Sequence, residues 1–100
     1  MHMADALISP GVGGAMWAAA AAGVGICTHR LGKSMPESKV PLMGVMGAFV
    51  FAAQMVNFAI PATGSSGHLG GGLFLAALLG PEAAFLTMTS ILVVQALLFG

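Results

Sequence analysis

Charge is the scarcest property of this sequence. Only six of its 100 residues are Asp, Glu, Lys or Arg, where a soluble domain carries about a quarter. Three bases and three acids cannot hydrate a chain that is 58% hydrophobic with a mean hydropathy of +0.99, so the bilayer is its natural solvent. Net charge zero and the absence of a basic patch exclude nucleic acid as a partner and argue against electrostatic steering of any other. Cysteine is nearly missing too. Cys27 stands alone in an apolar run, which excludes an internal disulfide framework and a cysteine-based zinc site and leaves it as a small helical residue. No positive segment precedes the first apolar stretch, since the first base is Arg30, and no cleavage signal follows it. Met1 is therefore expected to be the mature terminus, retained because methionine removal requires a small second residue and His2 is not small. A serine–histidine–acid set, a phosphate loop and paired carboxylates are all lacking, so a conventional hydrolase has nothing to work with.

Long apolar runs are what the sequence does contain. Gly11 to Thr28 runs 18 residues without a charge, about the minimum for a membrane-spanning helix. Gly14, Ala18 and Ala22 repeat every four positions and make a smooth face that lets backbones approach in lipid; it serves either a partner subunit or the internal bundle, and the bundle is the expectation. His29 to Lys39 is the only polar linker and holds every Lys and Arg, which places residues 29–40 in the cytoplasm by the positive-inside rule. Pro41 to Ile60 then reads as a second span of 20 residues, with Gln54 and Asn57 on one helical face near its far end. This orientation puts the N-terminus and PATGSSGHLGGG outside, so that His2 and His68 share a side and His29 lies on the other. Leu69 to Gly80 is apolar but reaches only about 18 Å against a hydrocarbon core of roughly 30 Å; either it dips in as a half-span or neighbouring helices fill the deficit. Pro81 suits the first turn of a new helix, and Glu82 complements its positive end in a capping role. Ala83 to Phe99 is the last helix. The expected fold is all-α: one integral membrane domain over residues 1–100 with about four membrane helices, thin enough to be part of a larger protein.

The chemistry gathers at the start. A free terminal amine, the next amide nitrogen and the Nδ1 of a second-position histidine close a five-membered and then a six-membered ring on a metal. The amide must lose its proton, which divalent copper and nickel promote better than zinc or magnesium, and the planar nitrogen set points to Ni(II) or Cu(II), with cobalt a neighbour. His68, flanked by glycines that allow close backbone approach, offers a fourth nitrogen on the same side. Each feature has a plainer reading, since any residue can follow a start codon and a histidine among glycines can be a simple turn; at this point both readings stand. Asp5 either orients a ligand histidine or caps the first helix. Asn57 and Ser66 either hydrogen-bond around the site or satisfy local backbone. The eight methionines suggest a thioether path for Cu(I) less than space-filling in apolar helices, and His29 beside Arg30 reads as a solvated interfacial residue.

MHMADALISP at the start, MVNFAIPATGSSGHLGGG at 55–72 and LLGPEAAFLTMTSILVVQALLFG at 78–100 resemble the CbiM/NikM family, the membrane substrate-binding components of cobalt and nickel energy-coupling-factor (ECF) transporters of the ABC class. The resemblance spans nearly the whole sequence and matches the N-terminal half of a longer family pattern. It implies an all-helical inner-membrane protein, not itself an enzyme, that captures Co(II) or Ni(II) from outside. It implies as partners a small membrane protein, a transmembrane coupling subunit and ATP-binding subunits that alone hydrolyse ATP. It also implies a near-planar four-nitrogen site, which here is the Met1 amine, the His2 amide and imidazole, and the His68 imidazole, with Asp5, Asn57 and Ser66 as candidate supports. The competing readings are a non-transporting membrane scaffold with incidental histidines and a membrane metalloenzyme, for which Asp5 is the only acid near the terminus.

Overall fold

The computed structural model describes residues 8–33, 36–62 and 65–99. In chain order they form α1 (Pro10–Gly32), α2 (Lys39–Gln54), β1 (Asn57–Ile60), β2 (Ser65–His68), α3 (Gly72–Leu79) and α4 (Pro81–Leu98). The fold is helical as expected, with one departure from all-α: an antiparallel two-stranded hairpin lies between α2 and α3. Two helices, α1 and α4, are long and apolar enough to cross a membrane. At about 1.5 Å per residue, α2 reaches roughly 24 Å and α3 roughly 12 Å, so α3 is too short to cross a membrane by itself.

Local chemistry explains the boundaries. Ser9 caps α1, its hydroxyl accepting from the Val12 amide at 3.3 Å, and Pro10 fills the first turn, where its missing N–H costs nothing. The cap of α1 is Ser9; Asp5, expected either to cap this helix or to orient a ligand, lies outside the described residues. The helix runs on past Thr28 through His29 and Arg30, and the Arg30 cation suits its negative C-terminal end, so about half of the expected polar linker is helical. Pro41 sits in the first turn of α2, which begins two residues earlier than expected at Lys39. That helix stops at Gln54, and the expected span to Ile60 is corrected: Asn57–Ile60 is a strand, so Gln54 and Asn57 do not share a helical face. The tetrapeptide NFAI finds a partner strand four residues beyond its end and pairs with it instead of prolonging the helix.

Glycine makes the α3–α4 corner. Gly80 takes φ +85°, a conformation that L side chains rarely adopt, and Pro81 opens α4 at once. The two helices fold back on each other as a helical hairpin, and their inner faces meet Val50 of α2 in a core of Val50, Leu75, Leu79, Ala83, Ala84 and Ile91. Met43, Met46 and Met88 pack against that core, the space-filling use of methionine. Close approach of α2 to α4 depends on Gly47, where a Cβ would sit 2.9 Å from the Thr87 methyl. The hydroxyls of Thr87, Thr89 and Ser90 each donate to the carbonyl four residues back, at 2.8, 2.7 and 3.0 Å, which satisfies them where lipid offers no partner.

α1 packs on α4 alone of the long helices, through Gly23 against the Phe85 ring, and buries no residue. The small-residue face of Gly14, Ala18 and Ala22 is exposed, which corrects the expectation that it packs inside this bundle. Glu82 makes no side-chain cap of α4, whose N-cap is Gly80; it lies in the first turn and meets Arg30 across the helices, with Nη1 to Oε1 at 3.7 Å. Arg30 is 69% exposed, so this pair contributes little to stability, but it fixes direction. The C-terminal end of α1 and the N-terminal ends of α2 and α4 lie together, Lys39 Nζ coming within 3.8 Å of a Cβ at Gly80. The hairpin, the end of α2 and the end of α4 lie at the opposite end of the bundle.

Candidate metal centre

The hairpin register decides which side chains can act together. Asn57 pairs with His68, Phe58 with Gly67, Ala59 with Ser66 and Ile60 with the backbone of residue 65. Directly opposed residues share a face, and alternate residues along a strand return to it. Asn57, Ala59, Ser66 and His68 therefore occupy one face of the ribbon, and Phe58, Ile60 and Gly67 the other. The Phe58 ring lies across Gly67, where a Cβ would fall 2.8 Å from the ring edge. At the turn, Ala62 adopts φ +62° without being glycine.

His68 ends β2 half-buried. Its Nδ1 lies 2.8 Å from the carbonyl oxygen of Leu69. A carbonyl only accepts, so Nδ1 donates and the ring lone pair is on Nε2, the tautomer in which an imidazole binds a metal while its other nitrogen is held by a backbone oxygen. The next two residues are anchored from α2. Gly70 offers its carbonyl to the Gln54 side-chain amide. Gly71 takes φ +82°, its Cα so close to Val50 that a Cβ would be 2.7 Å from Cγ1. Gly71 is the position in this segment that only glycine fills comfortably. Gly71→Ala incurs both the left-handed strain and the clash and is expected to destabilise the protein by on the order of 2 kcal/mol. Pairing it with Val50→Ala relieves the clash but not the strain, so the thermal midpoint should recover only in part; full recovery would show that the backbone angle costs nothing.

Gln54 is the residue that sequence reasoning underrated. It is 1% exposed and Gln95 of α4 is fully buried, and the Gln95 amide donates to Gln54 Oε1 at 2.7 Å. The available signal was chemical: an uncharged amide in an apolar helix must find a partner or pay heavily for lost water, and two such residues each near a helix end invite pairing. Of the other expected site residues, Asn57 and Ser66 share the His68 face, whereas Met1, His2 and Asp5 lie outside the described residues. His29, in the last turn of α1, is at the opposite end of the bundle from His68. Among the described residues no three His, Cys, Asp or Glu side chains gather in a metal-binding group, and Cys27 is a free, half-buried residue of α1.

Residues 2–100 match the family model CbiM, the cobalt uptake substrate-specific transmembrane region. The chain belongs to the CbiM family. A protein of Haloquadratum walsbyi named for metal transport is 40% identical over 100 residues, covering 100% of this chain and 45% of that protein. The fused nickel transport protein NikMN of Rhodobacter capsulatus is 32% identical over 100 residues, 100% of this chain and 28% of the relative. A crystal structure of a truncated transition metal transporter superposes with a TM-score of 0.89 at 36% identity, over 99% of this chain and 46% of its own. This CbiM-family chain thus spans less than half the length of those relatives. The solved fold and the apolar helices together make it a helical membrane protein.

Proposed function

We propose that this chain supplies the metal-capture site of an ATP-driven importer of nickel or cobalt, of the energy-coupling-factor kind. The Met1 amine and the His2 amide and imidazole form the chelate, and His68 closes it as the fourth nitrogen. The observation that carries this reading is the tautomer and setting of His68: Nδ1 is committed to the Leu69 carbonyl, the ring stands at a ribbon end anchored by Gln54, and Asn57 and Ser66 share its face. Membership of the CbiM family supports a divalent transition metal as cargo, and the relatives' names favour nickel. The site faces outward and the Arg30–Lys39 end faces the cytoplasm, because all three bases lie there.

In this scheme the ion sheds water for a rigid nitrogen plane, the terminal ammonium and the His2 amide each giving up a proton as they bind while the two imidazoles bind through ring lone pairs. The chain performs no chemistry on its cargo. A transmembrane coupling subunit, ATP-binding subunits and a small membrane partner supply the work of release, and Asp5, Asn57 and Ser66 hold the ligands in place. The test is the metal held by protein with a native terminus, that terminus being checked by mass spectrometry. One Ni(II) per chain with a yellow, diamagnetic spectrum is expected for four planar nitrogens; an octahedral spectrum, or no bound metal, refutes the site.

A further inference from the structure

The buried glutamine pair links the candidate site to α4. We propose that Gln54 and Gln95 are positioning residues for His68, forming a hydrogen-bonded chain from α4 through α2 to the backbone of the ligand loop, and that this chain governs how long the metal is held. The inference rests on the proposed metal site. Gln95 Nε2 donates to Gln54 Oε1 at 2.7 Å, and Gln54 Nε2 donates to the Gly70 carbonyl and lies 3.9 Å from Met88 Sδ. The orientation of both amides follows from one fact: the Gly70 carbonyl can only accept, so Gln54 must turn its nitrogen to the loop and its oxygen to Gln95. Both side chains are enclosed, at 1% and 0% exposure, so neither can exchange its partner for water.

Energy placed in such a pair needs a reason, because two apolar residues of similar shape would pack there without a desolvation cost. The loop provides it. Gly70, Gly71 and Gly72 have no side chains with which to hold a position, and His68 stands two residues from the anchored carbonyl. Fixing Gly70 fixes the strand end that carries the imidazole. Because the other end of the chain is Gln95, in the last two turns of α4, a displacement of α4 against α2 pulls on the same loop. α4 also carries Glu82 at the far end of the bundle, against Arg30. A partner that shifts this helix from the Arg30 side therefore acts on His68 through Gln95, Gln54 and Gly70 without touching the metal.

The test separates positioning from plain stability by comparing Gln54→Met, Gln95→Met and the double variant in the full chain, with nickel dissociation, thermal midpoint and amide hydrogen exchange of residues 66–71 as readouts. Gln54→Met should speed dissociation by ~10–100-fold, the scale on which outer partners act on metal sites, with the colour of bound nickel unchanged and exchange at 66–71 accelerated. Gln95→Met should do the same to a smaller extent. The double variant decides the matter: removing both partners restores the midpoint toward wild type, yet leaves Gly70 unanchored, so dissociation stays fast. Dissociation that recovers with the midpoint overturns the proposal, as does unchanged exchange at 66–71 in Gln54→Met. Wild-type protein that binds no nickel at all overturns the proposed function itself, whatever the exchange data show.

Discussion

Two glycines added ahead of Met1 should abolish nickel binding. In the proposed site the first amine and the His2 Nδ1 are joined through one amide, and the rings closed on the metal have five and six members. An extension turns that amine into an amide, and two added residues move the histidine to the fourth position, where no short ring reaches a free amine. The expected loss exceeds the ~10–100-fold that removal of an outer partner costs a metal site, because the one free amine is lost as a direct ligand and the chelate that it anchored is broken. A single added glycine is a sharper probe. It puts histidine third, so that an amine, two amides and an imidazole fill the plane unaided. Binding should then survive but no longer depend on His68. Calorimetry on the three termini, each with and without His68→Ala, reads both effects. Unchanged affinity with the two-glycine extension would falsify the chelate.

The helical part of the architecture was legible because lipid imposes it. A chain with six charges must satisfy its backbone internally, and Pro10, Pro41 and Pro81 all stand in the first turn of a helix, where the ring is tolerated. The hairpin was not legible. Residues 57–60 follow α2 with only Asn57 to interrupt the apolar run after Gln54, and period alone does not separate a short apolar strand from a helix end. What distinguishes them is the partner at 65–68, a tertiary fact. The misreading had a consequence for the site: placing Asn57 on a helix with Gln54 hid the register that sets Asn57 across from His68 and disguised Gln54 as a neighbour when it is the anchor of Gly70. The small-residue face of α1 misled for a different reason. Such faces mark close packing, but nothing in a sequence states against which helix, and Gly14, Ala18 and Ala22 stay exposed while the neighbouring Gly23 meets the Phe85 ring. His68 itself was identified by its glycine setting and by the expected topology, with the opposite ends of the bundle now separating it from His29.

His68→Ala should reduce nickel affinity by well over the tenfold scale of an outer-partner loss, while His29→Ala leaves it unchanged within error. The reasoning is geometric. With His68 gone, the amine, amide and imidazole of the terminus still hold three corners of a plane, and water takes the fourth. Water is a weaker ligand to nickel than imidazole, so the bound ion should lose its yellow colour as well as its tightness. Folding is not the confounder it would be at Gln54: His68 is half-buried on a ribbon, and its bond to Leu69 contributes about 1 kcal/mol. Added imidazole should therefore enter the vacated corner and restore the colour in His68→Ala, but do nothing to protein carrying the two-glycine extension, where the chelate itself is missing. Equal losses in His29→Ala and His68→Ala would instead mean that nickel is held by surface histidines in general, for these two lie at opposite ends of the bundle and cannot share one ion.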